Sequence, residues 1–268
     1  MPAEFCLTVD LDRDVNIRDQ NDPSVALSLD GGQGTEPRFE STLEGLKLLV
    51  GLLDELSLPC TFFCEGHTLE VIRDHAGLLD RFEIGVHGYD HEYFPSMARP
   101  DAMAAVVHGC EAVKDVTGRS PTCFRAPYMK MPRDIGAFLK GTGIHVDSSS
   151  YAPADRCVPS MLPGYIAEVP VAEGKDFNGT KVSAYLWPMH EGKRGPLDYA
   201  DLAQAVPDNG CFVLADHSWH IVELRDAGRL SGVELEDNVT RTRRALEAIL
   251  DLGCTPVTIS EASQLASF

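Results

Sequence analysis

The chain has 268 residues, 44% of them hydrophobic, and a formal net charge of −18. That length and apolar content suit a large buried core and exclude a disordered chain. An acidic surface repels nucleic acid phosphates and anionic lipid, so neither is expected as a partner. No stretch reaches the roughly 18 apolar residues of a membrane span, and "MPAEFCLTVDLDRD" lacks the basic-then-apolar pattern of a leader, so the expected compartment is the cytoplasm. Eight cysteines scatter along the chain without a Cys-x-x-Cys pair. Most sit in apolar runs such as "EFCLTV" and "GCFVLAD", which predicts reduced, buried thiols, Cys60 and Cys64 among them.

In chain order, "EFCLTVDLD" predicts a strand ending in carboxylates. Residues 13–40 are rich in Asp, Asn, Gly and Pro and predict a long loop, a feature uncommon unless it covers a site. The leucines of "STLEGLKLLVGLLDELSL" follow helical spacing, with Ser41 and Glu44 in a capping-box pattern. "PCTFFCEG" predicts a strand, followed by a helix near 68–81, and "FEIGVHG" another strand. "RPDAMAAVVHGCEAVKDVTG" predicts a helix closed by Gly118. "PTCFRAPY", "IHVDSSS", "EVPV", "CFVLADHS" and "CTPVTIS" are further strands, and 235–252 a helix with alternating charge. No linker or repeat divides the chain, so residues 1–268 are expected to form one domain. Strands alternating with helices imply parallel pairing. Seven or so strands favour an α/β fold of the barrel kind, whose C-terminal strand ends carry the chemistry.

Asp10, Asp12, His87, Arg125, Asp147 and His217 each fall at or just after the end of an apolar run. His87 and His91 are four apart, but Gly88 stands where a helical zinc-protease motif carries glutamate, and Gly85 also opposes a helix. A loop at a strand end is the better reading. Catalytic zinc takes three protein ligands and leaves a place for water, and Asp10 and Asp12 are the natural source of the third. Two carboxylates so close resist joint ionisation unless a cation shares the site. Trp187 and Trp219 are equally readable as ring-stacking or as core residues. Tyr89 in "GYDHEYF" is a candidate for the pocket wall. His67, His75, His108, His145 and His190 read as ordinary polar or packing residues.

The motifs in order resemble the polysaccharide deacetylase family, the NodB-homology or carbohydrate esterase 4 group: "LTVDLD", "PCTFFCEG", "FEIGVHGYDHE", "FRAPY", more weakly "VDSSSY", then "LADH" and "CTPVTISEAS". The resemblance implies a distorted (β/α) barrel of seven or eight parallel strands and one divalent metal ion, commonly Zn2+. His87 and His91 would be ligands. The family's Asp-Asp pair is here split by Leu11, which is similar to an intracellular-looking Asp-x-Asp branch; there Asp12 maps to the ligand and Asp10 to the base. Arg125 would hold Asp10 charged, the backbone N–H near Tyr128 would help bind an oxyanion, and Tyr89 would line the pocket. His217, preferred to His220, would protonate the leaving nitrogen, with Asp147 raising its pKa. The implied activity is metal-dependent hydrolysis of a non-peptide C–N bond on a small-molecule or carbohydrate substrate, first of all an N-acetylated sugar. Opening of a cyclic imide or amide, as in allantoinase-like enzymes, is the alternative, and a non-catalytic ligand-binding barrel the third reading. Nothing in the sequence opposes a homo-oligomer.

Overall fold

The computed structural model describes Pro2 and residues 4–14, 37–131, 134–225 and 227–266. Most of the 13–40 loop expectation lies outside these residues. In chain order the elements are β1 (Glu4–Leu11), α1 (Phe39–Leu56), β2 (Cys60–Cys64), α2 (Gly66–Val71) with a 3-10 stretch over Arg73–Leu79, β3 (Glu83–Val86) and α3 (Arg99–Thr117). Then follow β4 (Cys123–Phe124), α4 (Ile135–Leu139), β5 (Val146–Asp147), β6 (Tyr151–Pro153), β7 (Ser160–Leu162), β8 (Ile166–Glu168), β9 (Val171–Lys175) and β10 (Lys181–Ser183). The chain continues through α5 (Trp187–His190), α6 (Leu197–Gln204), β11 (Cys211–His217), a 3-10 turn over Ser218–Ile221, β12 (Glu223–Leu224), β13 (Gly228–Arg229), α7 (Gly232–Leu250), β14 (Thr255–Pro256) and α8 (Ile259–Ala262).

The main sheet runs β11-β1-β2-β3-β4-β5-β8-β7, with β14 also paired to β1. Every pairing in it is parallel except β7 on β8. The expected curled α/β barrel is therefore present. A second sheet runs β10-β9-β6. The Leu186 N–H donates to the Ala215 carbonyl, the Ala215 N–H to Ala184, and the Ala184 N–H to Ala172, each at 2.8 Å, tying β11 round to β9. β1 is buried from Phe5 to Leu11, including Thr8 and Asp10, as a strand covered on both faces must be.

Three expectations differ. α1 begins at Phe39, so Ser41 and Glu44 lie inside its first turns and form no capping box. Their side chains serve tertiary contacts instead: Ser41 donates to Glu223, and Glu44 accepts from Arg229. The helix near 68–81 is one short α-helix and a 3-10 stretch, begun earlier because the Gly66 and His67 N–H groups donate to the Gly88 and Tyr89 carbonyls. "EVPV" splits between β8 and β9, in different sheets, at Pro170, which has no N–H to give a ladder.

α1 rests on the turn after β11. A Cβ on Gly45 would overlap the Ser218 carbonyl oxygen and lie 2.6 Å from its carbon. Helix propensity alone makes alanine better than glycine by about 1 kcal/mol, whereas overpacking costs about 1–3 kcal/mol. Gly45→Ala is expected to destabilise the protein in urea titrations. A gain in stability would show that α1 does not pack on this turn.

Candidate metal centre

The end of β3 sets the first imidazole. The His87 N–H donates to the Cys64 carbonyl at 2.8 Å, and its Nδ1 lies 2.9 Å from the Arg125 carbonyl. A carbonyl only accepts, so Nδ1 carries the proton and Nε2 is left as a bare lone pair, the form that binds a metal. The chain turns at Gly88 (φ 72°) and returns with His91 at φ 55°, a left-handed conformation uncommon outside glycine. Glu92 closes this loop by accepting from the Tyr89 and Asp90 N–H groups, each at 3.0 Å, and Arg13 ties it to β1 through Asp90 at 2.8 Å.

Asp12 stands one residue past β1. Its Oδ1 accepts from the Asp14 N–H and from the Trp219 indole N–H, each at 3.1 Å. Its Oδ2 faces three imidazole Nε2 atoms: His91 at 3.6 Å, His217 at 3.7 Å and His87 at 3.8 Å. These distances are too long for hydrogen bonds. They suit ligands around a shared ion, because two atoms each about 2.1 Å from zinc in a tetrahedron are about 3.4 Å apart. Ligand atoms of Asp12, His87 and His91 all lie within 4.8 Å of one another, and all three residues are buried. The electrostatics ask for a cation. Burial pushes the Asp12 carboxyl well above the usual carboxylate range, and the charges of Asp14, Glu65 and Asp10 push it further. Burial lowers the pKa of His87, keeping its imidazole available as a neutral donor.

Asp10 is handled differently. Its Oδ1 accepts from Arg125 Nη1 at 3.1 Å and its Oδ2 from the Tyr185 hydroxyl. Burial would raise its pKa, but Arg125, His87, His217 and the Tyr185 hydrogen bond together bring it below the usual value. Arg125 is fully buried and donates four hydrogen bonds. Besides Asp10, they reach Thr8 Oγ1 at 2.8 Å, the Ser148 carbonyl at 2.9 Å and Ser148 Oγ at 2.9 Å. His217 pairs with Asp10 in the β1–β11 register, and burial drives its pKa well down.

The remaining sequence candidates fall around this centre or outside it. The Tyr128 ring packs 4.5 Å from His91, with Tyr128 and Met129 both at positive φ. Asp147 does not reach His217. It accepts from Ser149 Oγ at 2.6 Å and pairs with Glu168 across β5–β8, and Ser149 in turn accepts from the Ala126 N–H beside Arg125. Burial is the largest influence on His217, followed by the charges of Asp10, His220, Arg225 and His87, and the hydrogen bonds of Asp147 place it as a support of the β4 end instead of a partner of His217. Tyr89 turns outward: its hydroxyl donates to Glu70 and its ring stacks on His108 at 3.5 Å, between α2 and α3, so it does not line this centre. Of the two candidates for the acid, His220 is bound to Glu191 at 2.8 Å, and His217 is the one that faces Asp12, beside His87 and His91. His190 and His67, read as ordinary, each pair with a carboxylate: Asp216 at 3.0 Å and Asp90 at 2.8 Å. Sequence reasoning missed Tyr185 as a partner of Asp10. It joins β11 through an isolated bridge to Ala215, a contact with no local signal.

Residues 17–146 match the family model described as polysaccharide deacetylase. A peptidoglycan deacetylase of Helicobacter pylori is 29% identical over 107 residues, which span 39% of this chain and 36% of that relative's length. Among solved structures, a polysaccharide deacetylase-like protein of Mycobacterium smegmatis superposes with a TM-score of 0.66 at 22% identity, over 97% of this chain and 88% of its own. One from Pseudomonas aeruginosa gives 0.62 at 11% identity, over 98% and 90%. A carbohydrate esterase 4 pseudoenzyme of Bacillus anthracis gives 0.58 at 10% identity, over 100% and 67%. At these identities the structural likeness is one of fold. Among the described residues no helix is long and apolar enough to cross a membrane.

Proposed function

We propose that the chain is a member of the polysaccharide deacetylase family, whose model residues 17–146 match, and that it is a metal-dependent hydrolase that removes acetyl from an N-acetylated sugar. The observation that carries this reading is the single carboxylate oxygen of Asp12 facing three imidazole Nε2 atoms at 3.6–3.8 Å. Asp12, His87 and His91 would hold one divalent ion, with zinc the first choice for a set of two imidazoles and one carboxylate. Bound there, the ion supplies Lewis acidity, polarising the amide carbonyl and favouring ionisation of the attacking water.

The protein's own residues do the rest. Asp10 is kept anionic by Arg125 and Tyr185. A carboxylate has about four acceptor positions, and these two donors leave room for a water proton, so Asp10 acts as the base. His217 acts as the acid in its protonated form, giving one N–H proton to the leaving nitrogen and returning to the neutral imidazole that burial favours. Tyr128 packs beside His91, where a backbone N–H can meet the developing oxyanion. None of the relatives named above is described as a cyclic-imide hydrolase, so the N-acetyl substrate is preferred.

We read residues 1–268 as one domain, since β14 joins the end of the chain to β1. The cytoplasm is the proposed compartment, because seven of the eight thiols are buried and free, a state kept there. Elemental analysis tests the centre. About one zinc per chain is expected in the native protein and in His217→Ala, and little in His87→Ala. Acetate release from N-acetylglucosamine oligomers should be absent from both variants. Equal metal in the native protein and His87→Ala would remove the assignment, and loss of metal from His217→Ala would make His217 a ligand.

A further inference from the structure

We propose that Trp219 is the positioning residue of the metal centre: its indole N–H holds one oxygen of Asp12, so that only the other faces the ligand space. The proposal rests on the metal-centre reading above.

Asp12 Oδ1 has two donors, the Trp219 Nε1–H and the Asp14 N–H, both at 3.1 Å. Oδ2 alone faces the imidazoles. Two fixed donors on one oxygen set the carboxylate's torsion, and that torsion decides where the ligand oxygen points. An indole N–H suits this task because it only donates, carries no charge and does not compete as a ligand.

The ring is itself held. Trp219 is 0% exposed. The His220 ring stacks on it at 4.0 Å with 19° between planes, and Glu191 fixes His220 at 2.8 Å. The guanidinium groups of Arg38 and Arg225 lie 5.1 and 5.5 Å from the Trp219 ring centre, and both pair with Asp14, at 3.1 and 3.0 Å. The bareness of Gly45 lets α1 press on the Ser218 backbone directly before this ring. Asp12 is held from its main chain too, since Thr42 Oγ1 donates to its carbonyl at 2.5 Å. Several elements therefore converge on the orientation of one carboxylate. Outer partners of metal ligands, when removed, cost about 10–100-fold in metal affinity or activity.

The test is zinc affinity of the purified full chain, measured by competition with a chromogenic chelator. Trp219→Phe keeps an aromatic ring on His220 and removes the N–H. It should bind zinc about 10–100-fold more weakly, and in an Asp12→Asn background the same change should cause no further loss, because the partner is already altered. Unchanged affinity, or an equal loss in both backgrounds, overturns the proposal. A second measurement needs no change at position 219. In 15N-labelled Trp187→Phe protein the remaining indole N–H resonance is that of Trp219, and it should move on adding zinc and also in Asp12→Asn. If neither moves it, the proposal falls. If the unaltered protein binds no zinc, the metal centre itself is wrong, a result distinct from failure of the Trp219 role.

Discussion

Arg125→Met is expected to destabilise the protein by about 3–5 kcal/mol, as removal of one partner from a buried ion pair does. Methionine preserves most of the stem that packs over Phe63, where the guanidinium carbon now lies 4.4 Å from the ring centre. What disappears is the charge and its four donated hydrogen bonds to Thr8, Asp10 and Ser148. Asp10 would remain 1% exposed with its cation gone. Domains are stable by only about 5–15 kcal/mol, so the urea midpoint should fall by a large fraction. Arg125→Lys should fall less, because it keeps the charge but not the fork that spans two strands. The double change Arg125→Met with Asp10→Asn should recover part of the loss, because the stranded charge is gone, with a coupling on the order of 0.5–3 kcal/mol. Strict additivity of the two changes would mean that Arg125 stabilises the fold for reasons other than Asp10.

That network shows what is legible in a sequence and what is not. The strand ends were legible because parallel strands covered on both faces are short apolar runs, and a polar residue at the end of such a run stands out. Asp10, Asp12, His87, Arg125 and His217 were found that way. Which neighbour each one faces was not legible, because it depends on register. Asp147 shows this: β5 lies four pairings from β1 in the sheet order, so its carboxylate meets Glu168 rather than His217. Tyr89 sits between two proposed ligands in the chain yet points away, because the turn at Gly88 carries it outward onto His108. Tyr185 and Trp219 are aromatic residues whose polar tips matter. Composition and periodicity do not set them apart from core residues, and only the fold shows the single hydrogen bond each gives to a carboxylate. The capping box failed for a related reason. Ser41 and Glu44 have the right spacing, but the β12–β13 hairpin offers them stronger partners than the helix's own amides.

Asp10→Asn and Asp12→Asn should fail in different ways, although the two residues are separated only by Leu11. The structure gives the reason. Asp10 already has its cation, since Arg125 is beside it and the Tyr185 hydroxyl covers its second oxygen. Asp12 has none among its strongest influences, which are burial and the charges of Asp14, Glu65 and Asp10. A buried carboxylate surrounded by other carboxylates is the one that calls for an added ion. Asn has nearly the size of Asp but no charge, and it does not accept the water proton. Asp10→Asn is therefore expected to keep its zinc and lose activity by about 10²–10⁴-fold, the usual scale for a missing acid–base group. Asp12→Asn should bind zinc more weakly, because an amide ligates less strongly than a carboxylate. Its activity should return in part when zinc is raised until the site fills. A zinc titration of each variant, followed by deacetylation rates at saturating metal, separates the two. If added zinc rescues Asp10→Asn and leaves Asp12→Asn inactive, the roles of base and ligand are exchanged. If both variants bind zinc and turn over as the unaltered protein does, neither carboxylate belongs to the reaction.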